Sequence, residues 1–510
     1  MSTSRGAWWL AGLLAGFAGL AASYCVALVI TVHDDPVSAV AELVIRLTPG
    51  ALVERAIQLF GRHDKTVLVG VVLVLLVVLL AWAGPLARRA WWLAMLVYAV
   101  LALVGAVAVG SQRGSSAADA LALVVGFFTW IACLALLTAP LRAADEAGEA
   151  GEPTMGAHTR RTFLIRAGLV AAVGVTAGVV GRAVGVGRRQ VEEARRLLRL
   201  PGVTMPRVPQ GANVDVPDMP PWMTPADDFY RIDTAVYVPA VRPQDWRLRI
   251  HGLVDREIVL DYQDLVGRRV TEAWATICCV SNDVGGSLIG NAWWSGVRIA
   301  TLLAEAGVQA GADAVLQTSD DGWTCGTPLG ALTDDRNAML AIAMNGKPLP
   351  VDHGFPVRTV VPGLYGYVSA CKWVVDLKVT RFADISAYWT ERGWSEQGPV
   401  KISSRMDVPR EGGEIAAAGA RVAGVAWAQH TGIERVEVNV DGGEWQAAEL
   451  ARVPNDDTWV QWVATLDLEP GDHLLRVRAT DKSGLVQTGE VHGAVPDGAT
   501  GWHTIHVTAT

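Results

Sequence analysis

Cys279 closes the apolar run Ala275-Thr-Ile-Cys-Cys and opens the segment Val-Ser-Asn-Asp-Val-Gly-Gly-Ser-Leu-Ile-Gly-Asn. A short strand emptying into a glycine-rich loop puts a thiol where backbone can approach a bulky ligand closely. A thiolate in that position suits a soft metal or an anionic cofactor. The competing reading is a buried cysteine pair in an apolar strand. Ser281, Asn282, Asn291 and the loop glycines count against it, because they are costly in a mere core segment. Beyond the loop, an amphipathic helix is predicted over Val297–Ala306. Four other clusters concentrate Arg, Lys, His and Asp: Phe229-Tyr-Arg-Ile-Asp, Gln317-Thr-Ser-Asp-Asp, Asn345 to Arg358, and Pro362 to Trp373. Arg and Lys bind phosphate by charge-assisted hydrogen bonds, while Asp and His read the edges of heteroaromatic rings.

The elements that must position these residues change character along the chain. Of 510 residues, 51% are hydrophobic and 18% charged, and the apolar excess sits before residue 184. That length predicts two or three domains. The net charge of −8 argues against nucleic acid as a partner. Ala7–Val32, Thr66–Gly84, Ala90–Gly110 and Ala117–Leu141 approach the ~20 residues that cross a bilayer, and Phe163–Val180, interrupted by Arg166, is a fifth candidate span. Val37–Phe60 suits a helix lying in the interface. Arg5, Arg88, Arg89, Arg142, Arg160 and Arg161 fall at alternate ends, so the positive-inside rule places the N-terminus in the cytoplasm and the remainder outside. The sequence therefore predicts a multi-pass protein of the cell membrane with an extracytoplasmic domain. Thr159-Arg-Arg-Thr-Phe-Leu-Ile is similar to a twin-arginine export signal.

A juxtamembrane helix is predicted over Arg188–Leu200. Pro201–Pro225, dense in Pro and Gly, is a linker or a chain draped over the next domain. From Phe229 to about Tyr388, strands alternate with helices in an α+β pattern. From about Val400, period-2 alternation in Arg421–Ala428, Ile433–Val440 and His473–Thr480, punctuated by Asp-Gly and Pro-Gly, predicts a β-sandwich. The six cysteines include no Cys-x-x-Cys-His, and none of the ten histidines lies inside a span, so no haem is expected within this chain. Cys325 and Cys371 are either free buried thiols or a pair that oxidises after export.

Cys279-Val-Ser-Asn, followed by Val-Gly-Gly-x-Leu-Ile-Gly-Asn-Ala-x-Trp-x-Gly-Val, resembles the molybdenum-ligand loop of the sulfite oxidase family of molybdopterin oxidoreductases. The Asn that follows picks Cys279 over Cys278. The likeness runs from about Phe229 to the C-terminus. It implies molybdenum and molybdopterin as cofactors, with Cys279 as the metal ligand and Arg231, Arg358 and Trp394 beside it as catalytic residues. It further implies Phe229, Tyr230, Arg231, Asp320 (Asp321 next), His353, Arg358, Ser369 and Lys372 as cofactor-binding residues. The C-terminal sandwich would be immunoglobulin-like and make a homodimer contact. Two positions depart from the family. Trp394, in Tyr388-Trp-Thr-Glu-Arg-Gly-Trp, stands where sulfite oxidases carry a tyrosine. Val425-Ala-Trp-Ala-Gln-His-Thr-Gly replaces a turn whose arginine helps hold sulfite, leaving His430 as the nearest polar substitute.

The expected architecture is an all-α transmembrane bundle of five helices over 1–183, a juxtamembrane helix and linker over 184–225, a molybdopterin domain over 226–399 and an immunoglobulin-like domain over 400–510. The expected activity is sulfite-oxidase-like oxygen-atom transfer on a small oxo-anion or another oxygen-bearing substrate, with electrons passed to an external cytochrome or quinone-linked partner. Two alternatives remain: a reductase of sulfoxides or other oxo-substrates, and a non-catalytic membrane receptor with an outer binding module.

Overall fold

A computed structural model describes residues 5–29, 36–49, 52, 64–111, 119–149, 156–184, 187–235 and 238–510. The chain divides into two compact units, one of residues 1–189 with 234–239, the other of 190–233 with 240–510.

The first unit is helical. Among its described residues, four helices are long and apolar enough to cross a membrane: Arg5–Ala27, Val67–Arg89, Trp91–Gly110 and Asp119–Ala147. Phe163–Val180 falls inside a further helix, Gly156–Val184, some of whose side chains lie outside the described set. The shorter helix Pro36–Leu47 covers part of the segment expected at the interface, and much of 48–60 is also outside that set. Small residues let these helices approach closely: a Cβ on Gly12 would stand 2.6 Å from the Ala81 carbonyl. Trp130 donates its indole N–H to the Gly16 carbonyl at 3.0 Å, and Tyr98 stacks on its ring at 5.3 Å.

Near the start of the second unit, within the helix Gly187–Leu197, Glu192 pairs with Arg195 at 2.6 Å. Two sheets follow. One runs Ile258–Asp261, Arg247–Gly252, Val374–Thr380, Ala314–Ser319, Thr324–Pro328, with only the contact of Arg247–Gly252 and Val374–Thr380 parallel. The other runs Thr271–Cys278, Ile289–Arg298, Met339–Met344, Lys347–Pro348, with Arg358–Val360 also paired to Met339–Met344. Met339–Met344 is buried at every position, which is why it reads as an unbroken apolar run rather than an alternating one.

The strand Ile289–Arg298 is a correction. Its Gly, Asn and Ser content reads as a continuing loop, yet residues 289–296 pair with Thr271–Cys278. The glycines are close-approach positions: a Cβ on Gly290 would stand 2.6 Å from the Phe229 ring, and one on Gly296 would collide with the Leu340 carbonyl. The helix after it is Ile299–Ala306.

From Ser403 the chain is β-rich. One sheet runs Ser403–Val408, Ala420–Trp427, Val460–Leu466, Glu449–Leu450. The other runs Gly413–Ile415, His503–Ala509, Gly471–Asp481, Ile433–Val440, Trp445–Ala447. Val422, Trp462 and Leu466 of the first share a core with Val436, Val477 and Ile505 of the second.

Residues 201–225 form a strap rather than a free linker. Val214 N–H donates to Gln461 Oε1 at 2.9 Å, and Gln461 Nε2 donates to the Pro220 carbonyl at 2.8 Å. Trp222 Nε1 donates to the Trp459 carbonyl at 3.0 Å while Trp459 Nε1 donates to the Trp222 carbonyl at 2.9 Å. Asn291 Nδ2 donates to the same Trp222 carbonyl at 3.2 Å, so the strap binds both the sheet that carries Cys279 and the C-terminal layers.

Candidate active site

The end of the strand Thr271–Cys278 separates the two cysteines. Cys278, the last residue of its strand, is buried in the core, while Cys279 keeps a partly accessible face. The loop beyond it is closed by its own polar atoms. Asn282 N–H donates to the Cys279 carbonyl at 3.2 Å, and Asn282 Oδ1 accepts from Leu288 N–H at 2.7 Å. Gly285 takes φ +78°, which an L side chain rarely adopts.

Tyr230 lies beside this thiol. Burial pushes its phenol well above the usual range, with Cys279 and then Cys278 adding to the effect. Its ring stacks on Phe229 at 5.3 Å. Phe229 is itself buried, edge-on to Trp294 at 5.8 Å and to His353 at 5.7 Å, so its ring serves as scaffold for its neighbours. Gly366 borders the same space: a Cβ there would stand 3.7 Å from the Cys278 carbonyl and 3.9 Å from the Tyr230 hydroxyl.

Arg358 is a buried cation at 4% exposure. Its guanidinium donates to the carbonyls of His353 at 3.2 Å and Thr359 at 3.4 Å and lies 5.2 Å from the Trp294 ring centroid. Burial brings its pKa down to about 10, with Tyr230 and Cys371 opposing the fall. No carboxylate lies within ion-pair distance of it among the described residues, and a charge so placed calls for an anionic ligand.

Asp233 Oδ2 is shared by Lys372 Nζ at 2.7 Å and Arg231 Nε at 2.9 Å, and Arg231 Nη1 reaches Asp352 at 3.4 Å. Burial brings Lys372 down to about 8, against the pull of Asp233. His353 is pushed down to about 4 by burial, then by Arg358 and Lys372. Its Nε2 lies 3.2 Å from the Ala226 carbonyl, which can only accept, so Nε2 carries the proton of a neutral ring.

The remaining expected residues divide. Asp321 comes close to Asp233 and Lys372, and burial raises its carboxyl. Asp320 is tied through its backbone N–H to the Trp373 carbonyl at 2.9 Å. The Ser369 hydroxyl, fully buried, bonds the carbonyls of Tyr365 at 2.9 Å and Leu364 at 3.2 Å and so braces its own loop. Trp394 packs between Tyr367 at 5.7 Å and Trp389 at 6.2 Å. His430, at φ +70°, has Nδ1 3.3 Å from Asp457. Cys325 and Cys371 are free, buried and neighbouring. The sequence reading assigned no role to Asp233 or Asp352; the only signal for Asp233 is its spacing of two from Arg231, which puts both on one face of an extended segment.

Residues 235–389 match the family model of an oxidoreductase molybdopterin binding domain. The uncharacterized oxidoreductase YuiH of Bacillus subtilis is 35% identical over 153 residues, spanning 30% of this chain and 74% of that one. The chain belongs to the sulfite oxidase family of molybdopterin oxidoreductases. The sulfite oxidase of Gallus gallus is 29% identical over 321 residues, covering 53% of this chain and 69% of that protein. A solved structure of the sulfane dehydrogenase SoxCD from Paracoccus pantotrophus matches with a TM-score of 0.49 at 25% identity, over 56% of this chain and 81% of that one. As a family member the chain is an oxidoreductase with a molybdenum cofactor. The residues fit that group: a partly accessible thiol for a soft metal, and a buried guanidinium without a carboxylate partner for an anion-bearing pterin.

Proposed function

We propose that this protein is a membrane-anchored molybdenum oxidoreductase, divided at about residues 183, 225 and 399, whose outer domain transfers an oxygen atom to or from a small substrate. The observation that carries the reading is the partly accessible Cys279 beside Tyr230 and the buried, carboxylate-free Arg358. In it, Cys279 holds the metal, and Arg358, His353 and Lys372 hold the pterin and its phosphate. Phe229, Tyr230 and Asp320, with Asp321 next to it, shape the wall. The bound cofactor supplies the two-electron chemistry, and the protein binds substrate, orients it and excludes water. Arg231 is assigned to the substrate. The apolar helices and the basic residues at alternate ends support an anchor with its outer domain beyond the membrane. The C-terminal layers are read as immunoglobulin-like and dimer-forming, and electrons leave to a separate cytochrome or quinone-linked protein.

One observation favours a neutral oxo-substrate, such as a sulfoxide, over sulfite. Arg231 is shared between Asp233 and Asp352. With its charge engaged by carboxylates, it offers an oxyanion less than a free guanidinium would.

Detergent-solubilised protein from a molybdenum-replete host tests both readings. About one molybdenum per chain is expected, with turnover of sulfite against a dye acceptor or of a sulfoxide against a dye donor. Metal-free protein from such a host would instead support a binding module.

A further inference from the structure

We propose that Arg405, on the C-terminal strand Ser403–Val408, is a positioning residue that clamps the Cys279 loop and tunes the metal bound there by its charge. The inference rests on the assignment of Cys279 as metal ligand. Arg405 Nη1 donates to the Gly286 carbonyl at 2.6 Å. The guanidinium is buried at 8% exposure and pairs with Asp407 at 2.9 Å. A second group from the same layers meets the adjoining residue: the His503 ring fills the space a Cβ on Gly285 would take. His503 is fixed in turn, because Met406 N–H donates to its Nδ1 at 3.0 Å. Nδ1 therefore accepts, and a neutral ring points its Nε2–H toward the loop.

These contacts fall where the loop has least hold on itself. Gly285 and Gly286 have no side chain to anchor, and Gly286 N–H reaches only back to the Asp283 carbonyl at 2.8 Å. From there the path to the thiol is short, through Asn282 to the Cys279 carbonyl at 3.2 Å. A clamp at Gly286 therefore holds the ligand's own turn. Burying a guanidinium is costly even when it is paired, and an apolar residue would pack the same strand without that cost. A neutral donor would satisfy the Gly286 carbonyl equally well. What a buried arginine adds is a fixed positive charge on the ligand's own turn, felt at the Cys278 thiol next to it, and such a charge disfavours the more oxidised and more positive metal state.

The test is a redox titration of full-length holoenzyme in detergent, following the Mo(V) electron paramagnetic resonance signal, with metal content measured alongside. Arg405→Met should move the Mo(VI)/Mo(V) equilibrium about tenfold toward the oxidised state, a fall of about 59 mV for one electron. Arg405→Lys keeps the charge and should titrate close to wild type. Asp407→Asn leaves the arginine uncompensated and should shift the couple the opposite way. A metal-loaded Arg405→Met that titrates like wild type would overturn the proposal, as would a Lys variant that moves as far as Met. If Arg405→Met does not accumulate with metal, Asp407→Asn decides, and an unmoved potential there counts against the clamp. Wild-type protein lacking molybdenum and the Mo(V) signal would sink the Cys279 assignment itself, whereas a normal wild-type signal unaffected by these variants sinks this inference alone.

Discussion

Lys372 Nζ lies 2.7 Å from Asp233 Oδ2, and that same oxygen is 2.9 Å from Arg231 Nε. One carboxylate thus holds a cation assigned to the pterin and a cation assigned to the substrate. Asp233→Asn should lower KM severalfold for an anionic substrate by freeing Arg231, and leave KM for a neutral sulfoxide nearly unchanged. In cofactor-free protein the same variant leaves Lys372 buried without its partner, which costs about 3–5 kcal/mol. An equal change in KM for both substrates would remove Arg231 from the substrate pocket.

Cys279→Ser should abolish turnover, measured with dyes in both directions, and leave the pterin detectable by fluorescence after acid release. Cys278→Ser should spare most activity, because that residue points into the core. Full turnover in the Cys279 variant would end its assignment as metal ligand.

Arg358 gives a prediction of opposite signs. Arg358→Met removes a buried charge that is held only by carbonyls and the Trp294 face. Cofactor-free protein should be unchanged or stabilised by about 1–4 kcal/mol, while the variant should retain at least tenfold less molybdenum. Denaturant midpoints and metal analysis read the two halves independently. Loss of stability together with full metal retention would show Arg358 to be structural.

His353 sets an acid limit. Its folded pKa is about 4 against about 6.5 unfolded, so the unfolded chain binds the proton more readily between those values. The stability contributed by its neutral form is complete above about pH 6.5 and is lost as pH falls toward 4, on the order of 3 kcal/mol. His353→Asn should flatten the melting temperature of the cofactor-free second unit across that window. A variant with the same acid slope as wild type would show that other groups control it.

The strap bounds what can be cut away. A fragment beginning at residue 188 keeps residues 201–225 and should retain dye-linked activity. One beginning at residue 226 loses both indole bonds between Trp222 and Trp459 and should be recovered unfolded or aggregated. Equal activity from the two would make the strap dispensable.

What was legible in the sequence is what local chemistry dictates. Alternating Ile433–Val440 forms a strand over those same residues, and uninterrupted Val67–Leu80 lies within an apolar helix. The strand Ile289–Arg298 was not legible, because the reason for Gly290 and Gly296 lies in Phe229 and Leu340, which no local pattern displays. The nearness of Asp321 to Lys372 depends on how one turn points its carboxylate, which no local pattern displays. Arg405 meets Gly286 across 119 residues of chain, and periodicity carries no information at that range.

That separation also has a meaning in time. The paired indole bonds of the strap join residues 237 positions apart, so neither can form until the chain has been made as far as Trp459. His503 reaches Gly285 later still, from the final strand of the second unit. The loop that carries Cys279 is therefore complete in sequence long before it is closed in space. Until then the Cys279 loop lacks the contact from His503. Cofactor added to fully folded, cofactor-free protein should load far more slowly than cofactor supplied during refolding.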